Sequence, residues 1–159
     1  MSVKKRLIKA EKAASLSRNK DTIGAGRKEL AKMREEGAIP ITSQDPARHL
    51  AEGGEHRVEL SADPTRVIKH TKGGLFGFVP AADAQGHIVL KAASPLEYLD
   101  RQAAQEKLFP TDLKLEGSHP EEFGGLTYSQ TFYKGTHPEV SEVRAFLEPV
   151  MHFGRGYGA

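Results

Sequence analysis

The chain of 159 residues contains no cysteine, and its 23 Lys and Arg against 21 Asp and Glu give a net charge of +2. A chain of this length can bury a core of its own, and the lack of cysteine excludes disulfides, thiolate metal sites and cysteine nucleophiles. No apolar run approaches the ~18 residues of a membrane span, and no apolar signal segment follows the basic N-terminus. We therefore expect a cytoplasmic protein without membrane contact.

Two helices are predicted near the N-terminus, over residues 3–16 and 27–36, with a polar break between them. Residues 1–36 hold 11 basic and 5 acidic residues, a net of +6, whereas the remainder carries −4. This asymmetry is typical either of a solvated helical face or of an arm that contacts nucleic acid or an acidic partner. We interpret residues 1–41 as a basic helical arm.

The next part of the chain is predicted to be rich in strands. After a loop over residues 42–54, alternating apolar positions predict a hairpin over residues 55–70 and a third strand over residues 75–79. A short strand is expected at residues 88–90. Ser94-Pro95-Leu96-Glu97 is a capping box with proline in the first turn, so a helix is predicted from Ser94 to Leu108.

Two further strands, at residues 112–117 and 124–134, and a helix from Thr136 to Leu147 complete the predicted elements. Thr136-His137-Pro138-Glu139 is a second capping box that would open this last helix. Residues 152–159 are glycine-rich and are expected to form a flexible tail. The order of elements predicts an α+β domain over residues 42–151, with one helix packed on an antiparallel sheet of about five strands.

Several residues of this domain are suited to binding a phosphate group. Gly53 and Gly54 open a strand, where glycines let backbone amides approach a phosphate. Lys69 lies on the adjacent strand and can face the same phosphates, and a helix glutamate can hold the lysine in place. Glu97 is one candidate for that glutamate, although the capping box also explains it. Glu106 is the rival, because it shares a helix face with apolar residues and needs a partner there.

This ordered set of segments resembles the N-terminal lobe of protein kinases, and more closely the kinase-like domain in polyvalent proteins of phages and mobile elements. The resemblance covers roughly residues 49–148 and implies a kinase-N-lobe-like antiparallel sheet with one packed helix. It implies that ATP is a possible, weakly bound ligand. The residues that it assigns to the nucleotide are the covering loop Gly53, Gly54, Glu55 and His56, the phosphate-pairing Lys69, its helix partner Glu97, and Gln130 to Phe132 beside adenine.

Kinase chemistry also needs a catalytic-loop aspartate and a magnesium-binding aspartate after the segment beside adenine. The 24 residues after Gly135 contain no aspartate. We therefore expect a pseudokinase-like module that binds nucleotide weakly or contacts a protein. One alternative is a kinase half that a partner chain completes with a catalytic lobe.

The other alternative is a small nucleic-acid-associated protein that binds through its N-terminal residues. Seven cations between Lys4 and Lys20 could neutralise phosphates. Residues 1–36 contain no aromatic side chain for stacking on bases, so such binding would not depend on nucleotide sequence. The seven histidines show no metal-ligand spacing, so no metal site is expected.

Overall fold

The computed structural model describes residues 1–151, and the predicted flexible tail, residues 152–159, lies outside the described residues. Within that range the chain forms four α-helices and seven strands, so the α+β class is confirmed. Short 3₁₀ helices occupy Pro46–Arg48 and Glu121–Phe123. The helices are α1 (Val3–Ser15), α2 (Thr22–Glu35), α3 (Pro95–Leu108) and α4 (Val140–Met151), and the strands are β1 (His49–Glu52), β2 (His56–Leu60), β3 (Arg66–Thr71), β4 (Phe78–Ala82), β5 (Ile88–Ala92), β6 (Lys114–His119) and β7 (Gly125–Thr131).

Five strands form one antiparallel sheet in the order β1-β2-β3-β7-β6. The predicted hairpin over residues 55–70 is confirmed as β2 and β3. The loop prediction for residues 42–54 is wrong, because β1 lies within it and pairs with β2. β1 is an edge strand whose four residues are all exposed, so it lacks the alternation of buried and exposed positions by which strands are recognised.

The strands predicted at residues 75–79 and 88–90 correspond to β4 and β5, which form a separate two-stranded hairpin. The strand predicted at residues 75–79 is therefore not part of the main sheet. The five strands of that sheet include β1 in its place. Every residue of β5 is exposed, including Ile88 and Leu90. Chain order alone cannot reveal that the hairpin leaves the sheet, since pairing partners are set by tertiary packing.

The N-terminal helices are packed into the domain and do not extend from it. Leu7 of α1 and Leu30 and Met33 of α2 are buried in the same core as Tyr98 of α3 and Leu126 of β7. Residues 1–41 therefore share a hydrophobic core with the sheet. Their lysines are exposed, whereas Arg6, Arg27 and Arg34 are half-buried. This corrects the expectation of an arm attached to a domain with one packed helix.

Helix α2 begins at Thr22 and not at the predicted Arg27, because Asp21 caps it. The Asp21 carboxylate accepts a hydrogen bond from the Gly24 backbone N–H at 2.9 Å. Gly26 is buried within this first part of the helix, where an added Cβ would lie 2.7 Å from the Pro95 ring. Glycines that lower helix propensity are thus retained here because α2 approaches α3 closely.

Helix α4 begins at Val140, four residues after the predicted start at Thr136. The backbone N–H of Glu139 donates to Glu142 Oε2 at 3.0 Å, and the Glu139 carbonyl accepts from the N–H of Val143 at 3.1 Å. Glu139 therefore occupies the cap position that was assigned to threonine. The side chains of α4 that the structure describes are exposed, including Phe146.

Candidate functional site

The inner face of the sheet, which α3 covers, carries Lys69. In β3 this lysine lies directly opposite Val58 of β2 and Tyr128 of β7. Directly opposed residues of antiparallel strands share a face, and Tyr128 belongs to the core beneath α3. Lys69 is consequently half-buried on the core side of the sheet.

Lys69 is held by a neutral partner. Its ammonium donates to Gln130 Oε1 at 3.1 Å, and in the described part of the chain it forms no ion pair. Burial lowers the pKa of Lys69; the charge of Glu55 opposes this effect, and Arg101 adds to it. Glu55 and Arg101 are therefore the charged groups that act on Lys69 across the site.

Glu55, in the β1–β2 turn, and Arg101, in helix α3, form a bidentate ion pair. Arg101 Nη1 donates to Glu55 Oε2 at 3.0 Å, and Arg101 Nη2 donates to Glu55 Oε1. The guanidinium also lies over the ring of Tyr98, 5.4 Å from its centroid. Burial raises the pKa of Glu55, but the hydrogen bond from Arg101 and the charges of His56, Arg101 and Lys69 together lower it overall.

His56 lies beside this ion pair and is bonded to the helix. Its Nε2 is 2.7 Å from the Tyr98 hydroxyl and 3.5 Å from Glu55 Oε1. Burial, together with the charges of Lys69 and Arg101, lowers the pKa of His56 to about 4 against the attraction of Glu55. Burial also raises the pKa of Tyr98. Both groups are uncharged near neutral pH, which leaves Lys69 and Arg101 against the single carboxylate of Glu55.

The two helix glutamates expected to hold Lys69 are engaged elsewhere. Glu97 completes the capping box with Ser94 and lies 3.6 Å from Lys91 Nζ. Glu106 accepts from both the backbone N–H and the hydroxyl of Thr111. The expectation that either one pairs with Lys69 is therefore wrong, because each is satisfied by groups close to it in the sequence.

The turn that contains Gly53 and Gly54 has free space beside Gly54. Gly53 donates its N–H to the His56 carbonyl at 2.9 Å, and an added Cβ at Gly54 would meet nothing within 4 Å. A cavity of about 310 Å³ adjoins the turn and reaches the hairpin of β4 and β5. It is lined mainly by apolar groups, from Gly54, Glu55, Leu75, Gly77, Phe78 and Ala92.

The segment expected beside adenine uses its backbone donors within the chain. The N–H of Thr131 donates to the Thr111 carbonyl at 2.8 Å, and that of Phe132 donates to the Thr65 carbonyl at 2.7 Å. Gln130 reaches the site through its side chain. Phe132 is half-buried, with Lys134 Nζ 5.5 Å from its ring centroid.

Arg101 is the residue of this group to which the sequence analysis assigned no role. Its partner Glu55 lies 46 positions away, and only the packing of α3 under the sheet brings them together. One local signal was present, because Tyr98 and Arg101 are three residues apart in a helix and so share a face. That signal places an arginine beside an aromatic ring but does not identify the facing carboxylate.

No protein-family model matches the chain, and neither a curated protein nor a solved structure matches it. Among residues 1–151 there is no cluster of three or more histidine or acidic side chains that could hold a metal ion. Over the same residues, no helix is both long enough and apolar enough to cross a membrane.

Proposed function

We propose that this chain is a non-catalytic, kinase-related module that binds a phosphate-bearing ligand weakly on the inner face of its sheet, with ATP as the first ligand to test. The observation that carries the proposal is Lys69, a half-buried cation bonded only to a neutral amide in the described part of the chain. Burying a lysine without a direct ion-pair partner is costly, so an anion bound to Lys69 would relieve a cost that the fold already bears.

The arrangement of elements supports the kinase-related part of the proposal. The resemblance implies a glycine turn between the first two strands, a lysine on the third, and then a helix before the last two strands. β1, β2, β3, α3, β6 and β7 follow one another in that order. The β4–β5 hairpin is an insertion between the lysine strand and the helix.

The charges of the site support an anionic ligand. Lys69 and Arg101 contribute two cations near neutral pH, and Glu55 is the carboxylate that acts on both. The apolar cavity beside the Gly54 turn offers space for a base or another planar group. Residues 136–159 contain no aspartate, so we expect this chain alone to show no phosphotransfer or autophosphorylation above background.

The test is an NMR titration of the ¹⁵N-labelled chain with ATP and, separately, with inorganic tripolyphosphate. We expect shifts in β3, β7 and α3 with a Kd of roughly 1 mM, equivalent to about −4 kcal/mol, because the site is open to solvent. Lys69→Gln should weaken binding about tenfold. The matched control is Lys114→Gln, an exposed lysine on β6 whose nearest carboxylate is Asp112 at 3.5 Å.

If Lys69→Gln and Lys114→Gln weaken ligand binding equally, the ligand is attracted by the net charge of the chain. The proposal of a binding site on the inner face would then be wrong. Phosphate appearing on the protein in a manner that depends on Lys69 would contradict the non-catalytic part of the proposal. Shifts confined to α1 and α2 would favour the second candidate function.

That second candidate is sequence-independent binding of nucleic acid by helix α1. Lys5, Lys9 and Lys12 lie on one face of the helix by their spacing, and all three are exposed. Lys4 is less available, since it pairs with Asp100 at 2.9 Å. Deleting the N-terminal helices would remove core residues, so the test is substitution of the three lysines by glutamine. Loss of a steeply salt-dependent affinity for DNA or RNA would support this candidate.

A further inference from the structure

The Glu55–Arg101 ion pair occupies the place where a phosphate group would meet the site. Glu55 presents both carboxylate oxygens to the fork of the guanidinium, which is the same two-pronged geometry by which arginine binds phosphate. Arg101 Nη2 also contacts the Phe76 carbonyl at 3.4 Å, whereas the buried Arg101 Nε has no acceptor among the described residues. Because Nε is buried, a ligand would meet the guanidinium at Nη1 and Nη2, where Glu55 now binds.

Residues around the Glu55–Arg101 pair leave it little free space. Gly77 has a φ of +76°, and an added Cβ there would lie 2.7 Å from Arg101 Nη2 and 2.9 Å from Glu55 Oε2. Any larger residue at this position would press on both partners. Tyr98 supports the guanidinium from its other side with its ring face. The arginine is therefore held in position by the protein around it.

Glu55 lies in the turn between β1 and β2, where its backbone carbonyl accepts a hydrogen bond from the Lys72 N–H at 3.0 Å. It follows Gly53 and Gly54, where added Cβ atoms would meet nothing closer than 4.0 Å. The carboxylate faces Arg101 directly and acts on Lys69 through its charge, so it partly neutralises both cations at once. A ligand phosphate would find the same two cations and would compete with this carboxylate.

We propose that Arg101 is a phosphate-binding residue of the site and that Glu55 is its internal competitor, which an oligophosphate ligand displaces when it binds. The inference rests on the proposed function, since it concerns the same inner-face site. It assigns a ligand class, an oligophosphate bound without a metal ion by a guanidinium and an ammonium group. It also makes the Glu55 side chain an autoinhibitory group that leaves Arg101 when the ligand binds.

The experiment compares tripolyphosphate affinities, without magnesium, of the wild-type chain, Glu55→Gln and Glu52→Gln. Removing the competing charge should tighten binding about tenfold in Glu55→Gln, because one unit of repulsion close to the phosphate disappears. Glu52 lies on the other side of the glycines and pairs with Lys72 and Arg57, so its substitution should change affinity less than twofold. Spectra of each variant establish that the fold is retained.

Two further variants connect the gain to Arg101. Glu55→Asp keeps the charge but shortens the reach to the guanidinium, and it should tighten binding by an intermediate amount. Arg101→Gln combined with Glu55→Gln should lose the tightening. The Arg101 side-chain resonances should shift on titration, since the ligand replaces the Glu55 carboxylate at Nη1 and Nη2.

The outcomes separate this inference from the proposed function. Wild-type binding that depends on Lys69, with equal or weaker binding in Glu55→Gln, would overturn the competitor role and leave the proposed function standing. Tightening that survives in the double variant would overturn the role of Arg101. An absence of tripolyphosphate binding in every variant would overturn both proposals.

Discussion

Glu11 of helix α1 is a buried carboxylate that connects the N-terminal helices to the start of α3. It is 4% exposed, and its two oxygens accept hydrogen bonds from the Ser94 hydroxyl at 2.9 Å and the Leu96 backbone N–H at 3.2 Å. Both donors belong to the start of α3, where the helix dipole also favours a negative charge. Glu11→Ala would leave a buried hydroxyl and a buried N–H unsatisfied.

The expected loss of stability is about 2–3 kcal/mol. Hydrogen bonds to charged groups contribute about 1.5–3 kcal/mol each, so two of them amount to about 3–6 kcal/mol before any offset. Relief of the cost of burying the charge reduces this total, and burial indeed raises the pKa of Glu11. The free energy of unfolding is measured by urea denaturation. Glu35→Ala is the matched control, because Glu35 is exposed at the end of α2.

A further substitution tests the ionisation of Glu11. A folded-state pKa above the unfolded value means that the folded protein binds more protons, so the contribution of Glu11 is most favourable at low pH and declines as pH rises through the folded pKa. Glu11→Gln should remove this decline. If Glu11→Ala changes the free energy of unfolding by no more than its Glu35 control, the N-terminal helices do not unfold cooperatively with the domain and the reasoning is refuted.

Two other predictions concern the inner-face site. Gly77→Ala should destabilise the fold by about 2–4 kcal/mol, because of backbone strain and of a Cβ 2.7 Å from Arg101 Nη2. Gly86→Ala is the control, since Gly86 has a similar φ of +81° but open space around it, so this variant should show the strain alone. Equal losses of stability in the two variants would refute the clash with Arg101. The lowered pKa of His56, about 4 against 6.5, predicts that stability falls by about 2–3 kcal/mol as pH drops through that window. His56→Gln should flatten the profile, whereas His87→Gln, at a largely exposed histidine, should not.

Sequence reasoning located the elements that depend on local signals. The helix α3 is confirmed because Ser94 and Glu97 form the complete capping box within four residues of each other. The β2–β3 hairpin is confirmed for a similar reason, since its turn and its alternation are both local. β1 was missed because an exposed edge strand such as His49–Glu52 carries no burial pattern, and its existence depends on pairing with β2.

The site was predictable in part. Glu55, His56, Lys69 and Gln130 lie on the same side of the sheet around helix α3. Their interactions were not predictable, because they join residues more than 40 positions apart. The prediction that Glu97 pairs with Lys69 was wrong because the Glu97 carboxylate accepts a hydrogen bond from the Ser94 backbone N–H within its own capping box.

The position of α3 connects the N-terminal helices to the site. Helix α3 begins where Glu11 holds Ser94 and Leu96, and one and a half turns later it presents Arg101 to Glu55. Because an α-helix is rigid over this distance, a tilt of its first turn would also move Arg101. The position of the guanidinium therefore depends on the Glu11 contacts as well as on the ion pair with Glu55. The N-terminal segment therefore helps to position Arg101, because Glu11 of α1 binds the first turn of the helix that carries it.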